Sequence, residues 1–153
     1  MLSEGSQGLI KRYNNMYEIC PRVYFGSAGA TYDKEQMKKI THIINCDSSR
    51  DSTSPLGQTK HFLFLESYDN EEFDIIEKHL SSLTEHILNV LKDPETNIYI
   101  HCYMGWNRSA CLAIGYVCKT YHTSAKRLIS KIREVRDILT NEDFEQSLLL
   151  KFP

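Results

Sequence analysis

The sequence predicts an α/β fold, with a mostly parallel central sheet of about four to five strands flanked by helices. Three observations carry that expectation. Short β-rich runs are bounded by polar or glycine-containing turns, longer segments of helical spacing lie between them, and the helical segments gather toward the C-terminus.

The strand-like runs are Val23 to Phe25 in "RVYFGS", His42 to Cys46 in "HIINC", His61 to Leu65 in "HFLFL" and Ile98 to His101 in "IYIH". A helix is expected from about Glu72 to Leu91, because Phe73, Ile76, Leu80, Leu83, Ile87 and Val90 recur at intervals of three and four. The proline of "KDPETN" closes it. A second helical pattern follows Arg108 and reads as buried on most sides. A third spans about Ser124 to Arg136, and a last one starts near Asn141, a suitable N-cap for "EDFEQSLLLKF". The chain shows no internal repeat and no low-complexity tract.

At 153 residues the chain is expected to be one domain, 1–153, able to bury its core without disulfides or metals. Residues 1–16 are set apart as an N-terminal extension that is mobile, packs on the core or crosses to a second copy; a monomer is the default. The 18 basic and 20 acidic residues leave a net charge of −2, which gives no electrostatic reason to expect stable nucleic-acid binding or attachment to a membrane surface. No signal-peptide core opens the sequence, and no run approaches the roughly 20 apolar residues of a membrane span. A cytoplasmic or nuclear location is therefore expected. Cys20, Cys46, Cys102, Cys111 and Cys118 are an odd set without a C-x-x-C pair, so free thiols are expected rather than a disulfide framework or a zinc site.

In such a fold, ligands bind beyond the carboxyl ends of the strands. "IYIHCYMGWNRSACLAIGYV", residues 98–117, places strand, loop and helix at that edge. The first amides of the helix have no internal partner, and with the helix dipole they suit an anion. Gly105 permits a tight turn that aims successive N–H groups inward. Cys102 at the mouth of this cradle would be favoured as the nucleophilic thiolate. Arg108 brings a planar fork to two phosphate oxygens, and Ser109 a hydroxyl suited to the sulfur as it leaves. The phosphate cradle thus comprises Tyr103, Met104, Gly105, Trp106, Asn107 and Arg108, with His101 and Ser109 in support. The implied reaction is attack of sulfur on phosphorus.

"HCYMGWNRS" matches the H-C-x5-R-[S/T] loop of the protein tyrosine phosphatase superfamily, and the surrounding segments resemble its dual-specificity branch in its small, atypical form of a catalytic domain alone. "MYEICPRVYFGSAGA" is similar to the opening strand of those domains, "ITHIINC" to the next strand, "YDNEEFDI" to the general-acid loop and "VRDILTNEDFEQSLLLKF" to the closing helix. The usual serine before the arginine is Asn107 here, a variant that related viral and RNA-directed phosphatases share. The resemblance implies a cysteine-dependent phosphatase of phosphotyrosine and phosphoserine/phosphothreonine proteins that needs no metal or other cofactor.

The leaving oxygen needs a proton donor, worth roughly 10²- to 10⁴-fold. Asp69 lies just past "HFLFL", 33 residues before Cys102, at the same sheet edge, and it is the aspartate that matches the family's acid loop. Glu66 and Asp74 are its local rivals, Asp74 suiting the start of the long helix. Blander readings apply elsewhere. Cys46, Cys111 and Cys118 read as small buried hydrophobes, and His101 as a polar residue at a strand end, although the resemblance implies that it orients the loop and supports the thiolate. Of Tyr103, Met104 and Trp106, some must line the rim. The basic run "KRLISKIREVR" reads as a solvated helix face, a distal phosphate contact being the alternative. The rival substrates are polyphosphorylated: inositol lipids, whose phosphatases tend to carry lysine inside the loop, or the 5′ end of RNA, whose phosphatases share G-x-N-R and typically lack the acid. A pseudoenzyme that docks phosphoproteins is the other-class alternative, which intact Cys102, Asp69 and Arg108 oppose.

Overall fold

The computed structural model describes residues 15–153. Most of the N-terminal extension, residues 1–14, lies outside them. A five-stranded sheet forms from β1 (Tyr17–Cys20), β2 (Val23–Gly26), β3 (His42–Asn45), β4 (His61–Phe64) and β5 (Ile98–His101) in the order β1-β2-β5-β3-β4. Only β1 runs antiparallel to its neighbour. The other pairs are parallel, with Gly26 and Asn45 both in register with His101 at the carboxyl edge of central β5.

Successive side chains of a strand point to opposite faces, and the core divides accordingly. Val23, Phe25, Ile44, Ile98 and Ile100 face the main helical layer. Tyr24, Ile43 and Tyr99 face the smaller layer that contains Met37 and Ile40. The helices are α1 (Lys34–Met37), α2 (Pro55–Gln58), α3 (a π-helical opening, Ile76–Leu80, running into Ser81–Val90), α4 (Arg108–Tyr121), α5 (Ala125–Arg133) and α6 (Glu142–Lys151). In α4 every residue from Ser109 to Cys118 is buried, so this helix is central rather than amphipathic.

The chain departs from expectation at several ends. β1 was not among the strand-like runs; its exposed Glu18 and half-buried neighbours leave no continuous apolar signal. Cys46 and Leu65 lie just beyond β3 and β4. The long helix starts later than Glu72, because Asn70 Oδ1 accepts the backbone N–H groups of Glu72 and Phe73 and holds them in a turn. Asp74 then accepts from Glu77 N at 3.1 Å, so it serves the helix start as its position suggests. The third helix ends at Arg133, short of Arg136. Arg136 is consequently no part of a solvated face: it is 8% exposed, donates to the Asn15 and Phe25 carbonyls and lies over the rings of Tyr17 and Phe25. Asn141 caps α6 as the sequence predicts, Ser124 caps α5, and Glu142, Asp143 and Glu145 fill the first turn of α6 where the dipole favours acid. No helix among the described residues is long and apolar enough to cross a membrane.

Candidate active site

The loop between β5 and α4 sits where the register of three strands converges, and its backbone is strapped to the end of β2. Ala28 N donates to Tyr103 O at 2.9 Å, and Ser109 Oγ donates to Gly26 O at 3.1 Å. Gly105 has φ +78°, and a Cβ there would stand 2.5 Å from Gly26 C and 2.6 Å from Ser27 N. Both the conformation and the close approach therefore demand glycine.

Cys102, 2% exposed, forms the floor of the loop. Its Sγ accepts Gly105 N–H at 3.3 Å and lies 3.3 Å from Ser109 Oγ. Gly105 N–H thus donates to the sulfur, and the Ser109 hydroxyl, whose single proton goes to Gly26 O here, lies close enough to turn toward a sulfur anion. His101 is fully buried beneath it. Its Nδ1 lies 2.9 Å from the Cys102 carbonyl, which can only accept, so Nδ1 carries the proton and Nε2 accepts from the Thr53 hydroxyl at 2.7 Å. Burial pushes the His101 pKa down to about 4, outweighing the opposing pulls of the Cys102 carbonyl and Asp47. The imidazole is therefore a neutral strut that orients the loop. Next to it, Cys46 Sγ–H donates to His101 O at 3.1 Å, and burial pushes that thiol up. Burial likewise raises Cys111, and Cys20 and Cys118 to about 11. All five cysteines are free.

Arg108 opens α4. Its Nη1 contacts Asp47 Oδ1 at 2.7 Å and donates to Ser67 O at 3.1 Å. Its Nε is buried with no hydrogen-bond partner among the described residues. A buried guanidinium N–H is costly to leave unmet, and a phosphate oxygen in the loop would meet it. Asn107 occupies the N-cap position of α4 but makes no side-chain cap, so the first amides of the helix are left for an anion. Tyr103 and Met104 project to solvent at 63% and 39% exposure and form the rim, while Trp106 is half-buried with its carbonyl bonded to Leu139 N.

Asp69 stands on the neighbouring loop after β4, with both carboxylate oxygens engaged. Oδ2 accepts from Asn107 Nδ2 and Oδ1 from Asn141 Nδ2, each at 2.8 Å. Asp69 is thereby tied to the phosphate loop on one side and to the start of α6 on the other. Glu66 is exposed, and its carbonyl accepts from the His79 ring. Two clefts flank the loop. One is lined by Asp69, Glu71, Glu142 and Asp143 together with Asn107 and Asn141, the other by Tyr32, Asp51, Tyr103 and Met104 among others.

The sequence reading missed Asp47, the partner of Arg108, along with Thr53 and Ser67. A weak signal exists for Asp47, which follows "HIINC" at the same sheet edge. Two residues of the basic run are engaged within the fold: Arg133 pairs with both carboxylate oxygens of Glu145 and donates to the Ile138 and Leu139 carbonyls, and Arg136 is buried. Among the described residues no three His, Cys, Asp or Glu side chains converge as a metal site.

Comparison with known proteins bears on the family and the fold. The family model for the dual specificity phosphatase catalytic domain matches residues 23–152. Human dual specificity protein phosphatase 26 is 28% identical over 141 residues, covering 89% of this chain and 66% of the relative, so the chain spans just under two thirds of the curated relatives' length. Among solved structures, DUSP15 is similar at 26% identity with a TM-score of 0.74, over 90% of this chain and 86% of that one. The human tyrosine phosphatase-like serine/threonine/tyrosine-interacting protein shares the fold at 24% identity with a TM-score of 0.78, over 89% of this chain and 94% of that one. With the cysteine, the arginine and the acid loop brought to one rim on this sheet, the chain belongs to the dual specificity phosphatase catalytic domain family.

Proposed function

We propose that this chain is a cysteine-dependent protein phosphatase acting on phosphotyrosine and on phosphoserine or phosphothreonine monoesters. The observation that carries the reading is the pairing, within one loop, of a sulfur at the floor that accepts Gly105 N–H beside the Ser109 hydroxyl and an arginine whose buried Nε lacks a partner among the described residues. Cys102 Sγ attacks phosphorus as the phosphate oxygens take up the loop amides and Arg108. The P–O bond to the substrate breaks, Asp69 gives its proton to the departing oxygen, and a phosphocysteine forms. Water then attacks phosphorus, Asp69 takes its proton, and the S–P bond breaks to release inorganic phosphate and restore the thiolate. Preorganised donors around the equatorial oxygens supply the largest share of the acceleration. No step draws on a metal or other cofactor.

The clefts on either side favour a single phosphate over a polyphosphorylated ligand. Among the described residues neither is lined by lysine or arginine, and one presents four carboxylates. A second phosphate group beside the reacting one would meet negative charge there. Inositol lipids and triphosphorylated RNA are accordingly the weaker readings, and the presence of Cys102, Asp69 and Arg108 stands against a pseudoenzyme. Free thiols and buried cysteines suit a reducing compartment, the cytoplasm or nucleus.

A turnover panel tests the reading. Phosphotyrosine peptide, phosphothreonine peptide, a phosphoinositide and triphosphorylated RNA are compared with a chelator present throughout. Turnover of both peptides, unaffected by chelator, is expected; activity confined to the RNA would overturn the protein substrate, and loss with chelator the mechanism.

A further inference from the structure

We infer that Asn107 is the positioning residue for the general acid, coupling the phosphate loop to Asp69 and so fixing how well the enzyme handles poor leaving groups. The inference rests on the reading of Asp69 as the proton donor.

The direction of the Asn107 amide is not arbitrary. Its Oδ1 accepts the backbone N–H of Asn141 at 2.9 Å, a group that can only donate. Nδ2 must therefore point the other way, where it donates to Asp69 Oδ2 at 2.8 Å and to Thr140 Oγ1 at 2.9 Å. Asn141 is constrained in the same manner, since its Oδ1 accepts from Asp143 N and Phe144 N and leaves Nδ2 for Asp69 Oδ1. Each amide is pinned at its oxygen by backbone and so presents N–H to one carboxylate oxygen. Of the two, Asn107 is the buried one, at 7% exposure, and sits next to Arg108 in the chain. The segment that pins it is itself fixed, through Leu139 N bonded to Trp106 O at 2.7 Å and Arg133 bonded to the Ile138 and Leu139 carbonyls.

A serine at 107 could keep the loop backbone, but its side chain is too short to bridge Asn141 N and Asp69 at once. The acid would then lose its link to the loop that holds the phosphorus, and the proton would be delivered from a less defined place. An aryl phosphate with an activated leaving group needs little protonation, whereas phenyl phosphate or a phosphothreonine peptide needs it fully.

The experiment compares kcat/KM for 4-nitrophenyl phosphate and phenyl phosphate in wild type, Asn107→Ser, Asn107→Asp, Asp69→Asn and the Asn107→Ser/Asp69→Asn double variant. Asn107→Asp is isosteric and turns the N–H toward Asp69 into an acceptor, so it informs even if the serine variant folds poorly. In both Asn107 variants the ratio of the two substrates is expected to move against phenyl phosphate by about 10-fold or more, with Asp69→Asn setting the ceiling and the double variant moving the ratio no further. A parallel fall on both substrates, or a further shift of the ratio in the double variant, would overturn the inference while leaving Asp69 as the acid. An unchanged ratio in Asp69→Asn would instead overturn the acid assignment, and the inference with it.

Discussion

The phosphate loop, Cys102 to Ser109, is held mainly by main-chain groups: Tyr103 O and Gly26 O take bonds that fasten it to β2, and Gly105 presses against the Gly26 and Ser27 backbone. The acid loop that meets it is anchored by backbone only as far as Ser67, whose N–H bonds Asp47 O. From Tyr68 to Glu72 every residue is exposed, and Asp69 is held by two asparagine side chains from other parts of the chain. Cys102, the proposed nucleophile, is thus placed by the covalent run of its own segment, and Asp69, the proposed proton donor, by borrowed amides. Substitutions far from the acid loop in sequence should therefore reach the acid step, while the nucleophile is sensitive mostly to its own loop.

Four outcomes would sharpen or break this contrast. The largest concerns the floor of the phosphate loop. Cys102→Ser should lower turnover by at least about 10⁴-fold, since removal of a nucleophile costs on that scale or more, while phosphopeptide binding persists in a calorimetric titration. Hydrolysis of an aryl phosphate at the wild-type rate would remove Cys102 from its role. On the acid loop, Asp69→Ala should slow turnover of phosphothreonine peptide by roughly 10²- to 10⁴-fold and lengthen the lifetime of the bound peptide in stopped-flow measurements. Because Asp69 is exposed, its thermal stability should hardly move.

The third outcome follows from His101 under the phosphate loop. Its imidazole is neutral in the folded protein down to about pH 4, whereas in the unfolded chain it takes a proton near pH 6.5. The unfolded state binds the extra proton between those values, so the His101 contribution is fully present above pH 6.5 and is lost as pH falls toward 4. The loss amounts to about 3 kcal/mol. Denaturant melts at a series of pH values should show this steepening in wild type and not in His101→Asn, on top of the carboxylate titration common to both. Equal slopes would show that the imidazole is not a buried neutral strut. The smallest effect is expected on the acid side: Asn141→Ala removes a helix cap, costing about 1 kcal/mol, and lowers turnover only slightly, because Asn107 still holds the other oxygen of Asp69. A loss as large as that of Asp69→Ala would make Asn141, not Asn107, the main anchor.

Much of the fold was readable from periodicity, with four of the five strands and all the long helices visible as runs. β1 escaped because an edge strand exposes one side, and Tyr17–Cys20 carries a charge in the middle of a half-buried pattern. Arg136 was grouped with a solvated helix face because helical spacing continues past Arg133, although the chain turns there and buries it. Asp47 sits among the serines and charges of "CDSSRDSTS", which reads as a surface loop; only its meeting with Arg108 reveals it.

By itself the sequence determined which groups the loop brings together, because a cysteine, a turn glycine, an arginine and a hydroxyl lie within eight consecutive residues, Cys102 to Ser109, and a strand leading into a helix can dispose them in only a few ways. The tertiary structure alone decided who holds the acid and who holds the arginine. Asn107 reaches Asp69 across 38 positions of chain and Asn141 does so across 72, and the direction in which each amide points is set by backbone N–H groups at the start of α6. No local pattern encodes such a direction: it arises only when separate segments close on one another and each buried polar group must find a partner.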